Sequence, residues 1–203
     1  MEFMTVGYDL VIDEVPENSK VLDLGCGDGS LLVKLQEKKK VKGYGVEISE
    51  EGVSLCLEKG LYCYQADIDD GLSDYKDDSF DYVILNQTIQ NTKRPDYVIT
   101  EILRIGKKSI ISFPNFAHIS TRLYIMFKGT MPVNKLLPYE WYESPNIHHL
   151  TISDMKKMSE KFSFSIISEK NFSSSKDGKS RIVNFSPNLF AQYGFFVIEK
   201  NLL

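Results

Sequence analysis

The chain has little cysteine, little histidine and no long apolar run, and each shortage excludes a class of protein. Its three cysteines in 203 residues, Cys26, Cys56 and Cys63, are odd in number and form no C-x-x-C pair. No histidine stands at a zinc-ligand interval from them, so neither a disulfide framework nor a metal site is written in the spacing. Reduced, buried thiols are expected. No stretch approaches the roughly 18 apolar residues that cross a bilayer. The opening MEFMTVGYDLVIDEV carries acidic residues early and no basic region ahead of an apolar one, so no secretory signal is apparent. A cytoplasmic protein with no membrane partner is the expectation. An excess of positive charge is also missing: 24 Lys and Arg stand against 28 Asp and Glu, a net charge of -4, which argues against a nucleic-acid partner. What remains is a globular composition, 42% hydrophobic and 12% aromatic, at a length suited to one domain over residues 1–203.

Strands and helices alternate along the first half. Val21 to Leu24 is a short apolar run with the character of a buried strand, and Gly25-Cys26-Gly27-Asp28-Gly29 closes it. Leu31, Leu32 and Leu35 then recur at helical spacing. Gly43 to Ile48 reads as a second strand, and Ser49 can cap a helix carrying Val53, Cys56 and Leu57 on one face before Gly60 ends it. Leu61 to Ala66, Phe80 to Leu85 and Ser109 to Phe113 are three further strands, with a helix of Val98, Ile102 and Ile105 after Pro95. Five strands alternating with helices imply an α/β sheet whose first strands run parallel. Ile119, Leu123, Met126 and Phe127 mark another helix. From about 129 to 150 the chain is too proline-rich for a regular element and too aromatic for a linker, which suits a cover or partner surface. Thr151 and Asp154 resemble a capping box, opening a helix with Met155, Met158 and Phe162 inward. Phe164 to Ile167 and Tyr193 to Ile198 are terminal strands, the last antiparallel at the sheet edge, and residues 173–180 form a polar, mobile loop.

A strand, a glycine loop and a helix in succession place a ligand at the carboxyl ends of the strands, where backbone free of side chains can approach it. A dinucleotide fingerprint would need a third glycine where Ser30 stands, and no Gly-Lys-Ser/Thr follows to make a P-loop. With Glu47 ending the second strand and Asp67 the third, VLDLGCGDG resembles the cofactor site of class I S-adenosylmethionine (SAM) methyltransferases. The resemblance implies a Rossmann-like fold, mostly parallel with a terminal antiparallel strand, that binds SAM or S-adenosylhomocysteine. It implies that Gly25, Cys26 and Gly27 accommodate the methionine part and sugar, with Asp23 supporting the loop. Glu47, followed by Ile48, would accept hydrogen bonds from the ribose hydroxyls, which suits an acceptor-only carboxylate. Asp67 would accept from the adenine amine while Ile68 packs on the ring. Singly, Glu47 can instead be a solvated strand end and Asp67 a helix cap.

A closer resemblance runs from Val21 to Phe162. GYGVEI, FDYVILNQTIQ, SFPNFAH, GTMPV and LPYEWYESPNIH are similar to the MetW family of methionine-biosynthesis proteins. That resemblance implies a partner, a homoserine O-acyltransferase of the MetX type.

Whether methyl transfer occurs stays open. After the fourth strand Asn86 and Gln87 stand where many small-molecule methyltransferases place a histidine. These amides can hold adenosine or substrate, or be structural, and Gln90 is no general base. His118, after the fifth strand, is the positional candidate for substrate contact or proton transfer. Tyr139, Trp141 and Tyr142 can cage a cation, pack as a loop or anchor a partner, and His148 can close the pocket beneath them. Two functions follow: a SAM-binding protein acting with the acyltransferase, or an active methyltransferase on a small-molecule acceptor. A nicotinamide-dependent oxidoreductase using the same loop is a third.

Overall fold

The computed structural model describes residues 7–134, 136–174 and 180–201. Helix α1 (Tyr8–Glu14), which the sequence patterns leave unmarked, comes first. The expected alternation follows as β1 (Lys20–Leu24), α2 (Ser30–Lys39), β2 (Lys42–Glu47), α3 (Glu50–Glu58), β3 (Tyr62–Gln65) and β4 (Phe80–Asn86). A 3-10 turn (Ile89–Asn91), α4 (Pro95–Ile105) and β5 (Gly106–Pro114) complete the first half. The strands lie side by side as β3-β2-β1-β4-β5, all parallel. β1 shows why the fold needs layers on both faces: successive side chains point opposite ways, and Val21 joins one apolar cluster while Leu22 and Leu24 join the other. α3 begins where Ser49 Oγ accepts the Gly52 N–H at 3.0 Å, and Pro95 starts α4, where its missing N–H costs no helical bond. Leu57, expected on the buried face of α3, is exposed.

Beyond β5 come α5 (Ile119–Lys128), α6 (Ile152–Lys161), β6 (Phe164–Glu169), β7 (Phe172–Ser174), β8 (Ser180–Ile182), α7 (Pro187–Phe190) and β9 (Tyr193–Lys200). The capping box at Thr151 and Asp154 is formed, with Met155 buried but Phe162 turned outward. Three expectations change. First, β9 is antiparallel but not an edge: β5 pairs one of its sides, and β6 and then β7 pair the other. Its buried residues from Tyr193 to Ile198 are those of an interior strand. Second, Ser173, Ser174 and Ser180 are strand residues in a β7–β8 hairpin rather than loop, while positions 175–179 lie outside the described residues. Third, α5 forms at its expected place, yet Leu123, Met126 and Phe127 are exposed. Helical spacing defines a face but not what covers it.

At the switch from parallel to antiparallel pairing, Phe113 of β5 lies opposite Gly194 of β9. A side chain on Gly194 would come within 2.6 Å of the Phe113 ring, so the ring occupies space that this glycine leaves. It stacks on Phe196 with centroids 5.9 Å apart. No helix among the described residues is long and apolar enough to cross a membrane.

Candidate functional site

The glycine loop is bent by backbone conformations that suit glycine. Gly25, Gly27 and Gly29 have φ of 74°, 58° and 74°, in the left-handed region where a Cβ is costly. A Cβ on Gly25 would also meet Thr88 at 2.6 Å. The N–H groups of Gly25 and Cys26 both donate to Val46 O, at 2.8 and 3.1 Å, which ties the loop to β2. Glu47 ends that strand, buried, with its two oxygens on two different donors: Gly27 N–H to Oε2 at 2.8 Å and Ser49 N–H to Oε1 at 2.9 Å. Each carboxylate oxygen keeps a further lone-pair site. The same carboxylate therefore sets the loop and can receive a ligand's hydroxyls.

Loop and strand ends open into a cavity of about 480 Å³. Asp23, Gly25, Cys26, Gly27, Glu47, Ile48, Asp67, Ile68, Asn86 and Gln87 all line it, so residues distant in sequence meet at one end of the parallel sheet. Asp67 Oδ1 accepts the Asp69 N–H at 2.9 Å, and Lys93 Nζ stands 3.3 Å from Oδ2. Asn86 Oδ1 accepts the Ser112 hydroxyl at 2.6 Å. Gln87 adopts φ 59° and its Nε2 donates to the same hydroxyl at 3.0 Å. Ile48 is 60% exposed at the cavity wall, an apolar surface suited to a flat ring.

The proline-aromatic segment covers this opening. Leu136, Pro138, Tyr139, Pro145 and Asn146 contribute to the lining. The N–H groups of Ile147 and His148 both donate to Gln90 O, at 2.9 and 3.0 Å, so the cover is fastened by backbone to the 3-10 turn after β4. Trp141 and Tyr142 are not part of the lining and are 72% and 66% exposed. Their rings meet each other edge to face at 5.6 Å. His148 also lies off the lining, its Nε2 buried without a hydrogen-bond partner among the described residues. His118 caps α5 instead of facing the cavity: its Nδ1 accepts the Ser120 N–H at 3.2 Å and lies 2.7 Å from the Ser120 hydroxyl. Tyr8 and Thr88, absent from the sequence expectations, do line the cavity. A helix of only 7 residues gives little periodic signal for Tyr8.

Asp23 carries the clearest electrostatic signature. Burial pushes its carboxyl up to about 8, with Cys56 and Glu47 adding to the shift. The neutral acid is therefore favoured by folding. That contribution is complete below the ordinary value near 3.8 and is lost as pH rises through about 8. Asp23→Asn, neutral and similar in shape, is expected to flatten the decline in unfolding free energy across this window. Denaturant titrations at several pH values check it, and parallel curves for parent and variant would contradict the assignment.

The lining offers carboxylates, amides and phenols, and none of the three histidines. Such a set holds hydroxyls, amines and a cationic centre by acceptors and by charge; it holds no imidazole to move a proton at neutral pH.

The chain matches the family model described as "Methionine biosynthesis protein MetW" over residues 6–198. It is 32% identical over 206 residues to the bifunctional methionine biosynthesis protein MetXA/MetW of Rhodopirellula baltica, across 97% of this chain and 33% of that protein. The chain thus spans about a third of that relative's length. Among solved structures, a SAM-dependent methyltransferase of Thermotoga maritima, a possible histamine N-methyltransferase, superposes with a TM-score of 0.70 at 19% identity, covering 96% of this chain and 87% of that one. The [4+2]-cyclase SpnF superposes with 0.69 at 15% identity, covering 97% and 81%. These likenesses establish the fold, and the cyclase among them shows that the fold alone does not fix a reaction.

Proposed function

Because the chain belongs to the MetW family of methionine-biosynthesis proteins, we propose that it binds S-adenosylmethionine in the cavity at the end of its parallel sheet and acts with a homoserine O-acyltransferase of the MetX type. The observation that carries this reading is the convergence of the glycine loop, the buried Glu47 carboxylate and Asp67 on one cavity. The residues fit the cofactor. Glu47 has acceptor sites beyond those used by Gly27 and Ser49, enough for the ribose hydroxyls, and Asp67 can accept from the adenine amine. Ile48 and Ile68 supply apolar surface for the ring, and Gly25 leaves the space that any Cβ would take from the loop. Bound SAM supplies an activated methyl on a sulfonium. Glu47 and Asp67 give the cavity the negative character that a cationic centre favours.

The partner reading rests on the Rhodopirellula baltica protein, whose name joins MetXA to MetW in one chain. Fusion gives two modules a high effective concentration, and separate chains would need a surface instead. The lining favours a binding role over base-assisted methyl transfer, because the histidines lie elsewhere. Methyl transfer to an acceptor that needs no base is the second reading, favoured by the intact loop and acids. Co-purification with the acyltransferase, and its activity with and without this chain at graded SAM, tests the first reading. A shift in activity that follows SAM is expected; unchanged binding and activity at every SAM level would overturn it. Production of S-adenosylhomocysteine with a defined acceptor would establish the second.

A further inference from the structure

The three cysteines, scattered in sequence, meet in space. Cys26 comes from the glycine loop, Cys56 from α3 and Cys63 from β3. Cys26 Sγ lies 3.8 Å from Cys56 Sγ and 3.7 Å from Cys63 Sγ, and all three sulfurs fall within 4.8 Å of one another. No disulfide joins them. Parallel register sets this up: Gly45 of β2 pairs with Cys63 of β3 on one side and Asp23 of β1 on the other. The Cys26 sulfur sits over Gly45, where a Cβ would come within 2.6 Å of it. The Cys56 sulfur likewise sits where a Cβ on Gly29 would be, at 2.8 Å. Two glycines therefore leave room for two of the three sulfurs.

We propose that Cys26, Cys56 and Cys63 form a binding site for a soft, thiophilic cation of the Zn²⁺ or Cu⁺ class, beneath the glycine loop. The spacing matches the chemistry. Zinc–sulfur bonds of about 2.3 Å at tetrahedral angles put neighbouring sulfurs about 3.8 Å apart. One ion can reach all three at bonding distance from these positions. On binding, each thiol gives its proton to solvent and each sulfur forms one bond to the ion, with no electron transferred. Cu⁺ is satisfied by three soft sulfurs. Zn²⁺ takes water as a fourth ligand from the side of Cys63, which is only partly buried, whereas Cys26 and Cys56 are buried. Glu47, whose charge reaches Cys63, favours a cation there and disfavours three unpaired thiolates. This departs from the sequence expectation of no metal, because convergence across a sheet leaves no trace in linear spacing.

The site shares Cys26 with the wall of the larger cavity, but its test needs no SAM. The full-length protein, reduced with a phosphine and freed of metal, is titrated with Cd²⁺ alone, and separately with Zn²⁺ against a coloured chelator. Saturation at one ion per chain is expected, with an ultraviolet sulfur-to-cadmium charge-transfer band and slowed thiol alkylation. Cys63→Ser, at the partly buried position, should keep the parent circular dichroism spectrum and weaken Cd²⁺ binding at least tenfold. Cys63→Ala serves as the second variant and should behave alike. Failure of the parent to bind either ion, absence of the band, or a band undiminished in both folded variants would overturn the proposal.

Discussion

Replacing Glu47 with alanine should raise the dissociation constant for SAM by about 10² to 10⁴. Two hydrogen bonds from ribose hydroxyls to a carboxylate are each worth about 1.5–3 kcal/mol, and every 1.4 kcal/mol is about tenfold in affinity. The loss has a second source. The same side chain accepts from Gly27 and Ser49, so alanine also releases the loop that shapes the cavity. Glu47→Gln is the milder change, because it keeps one acceptor oxygen while losing the charge and turning the other oxygen into a donor amide. Calorimetric titration should place it between parent and alanine variant. A folded Glu47→Ala protein with parental affinity would sink the assignment of the cavity, and NAD binding without SAM binding would point to the oxidoreductase alternative.

Phe113→Ala should lower the unfolding free energy by about 3–5 kcal/mol, the usual cost of emptying a large aromatic site in a core. Relaxation cannot easily refill this one. The ring is fully buried, stacks on Phe196, and lies over Gly194, which has no side chain to move into the gap. Denaturant unfolding measures the effect through the midpoint at unchanged slope. A loss under about 1 kcal/mol would mean that β5 and β9 repack around the hole. Phe113 adjoins Pro114, which lines the cavity, so weaker SAM binding should accompany the loss.

Much of this was legible in the sequence, and the remainder was not for identifiable reasons. The five parallel strands, the glycine loop and the acids at their ends announce themselves through short-range signals: apolar runs, glycine placement, caps. Glu47 and Asp67 reach the same cavity because parallel strands put equivalent ends together. What the sequence withheld depends on distant partners. Leu123, Met126 and Phe127 have helical spacing, but none of the described elements buries them. Trp141 and Tyr142 share a segment with Tyr139, yet only Tyr139 turns inward. Irregular backbone has no period from which to read a direction. His118 follows the right strand but serves as a cap, a role set by its bond to Ser120. Tyr8 enters the cavity from a helix too short to show a pattern.

The interior position of β9 bears on how the chain comes to be folded as it is made. β1 to β5 can pair as soon as residues 20–114 are available, each strand docking on one already present. β6 and β7 cannot, since their route into the sheet runs through β9. Until residues 193–200 leave the ribosome, the outer side of β5 is an unpaired, apolar strand edge of the kind that recruits other chains. A nascent chain stalled before Tyr193 should therefore be protease-sensitive throughout residues 164–174 and dependent on chaperones, although its glycine loop and first five strands are already complete.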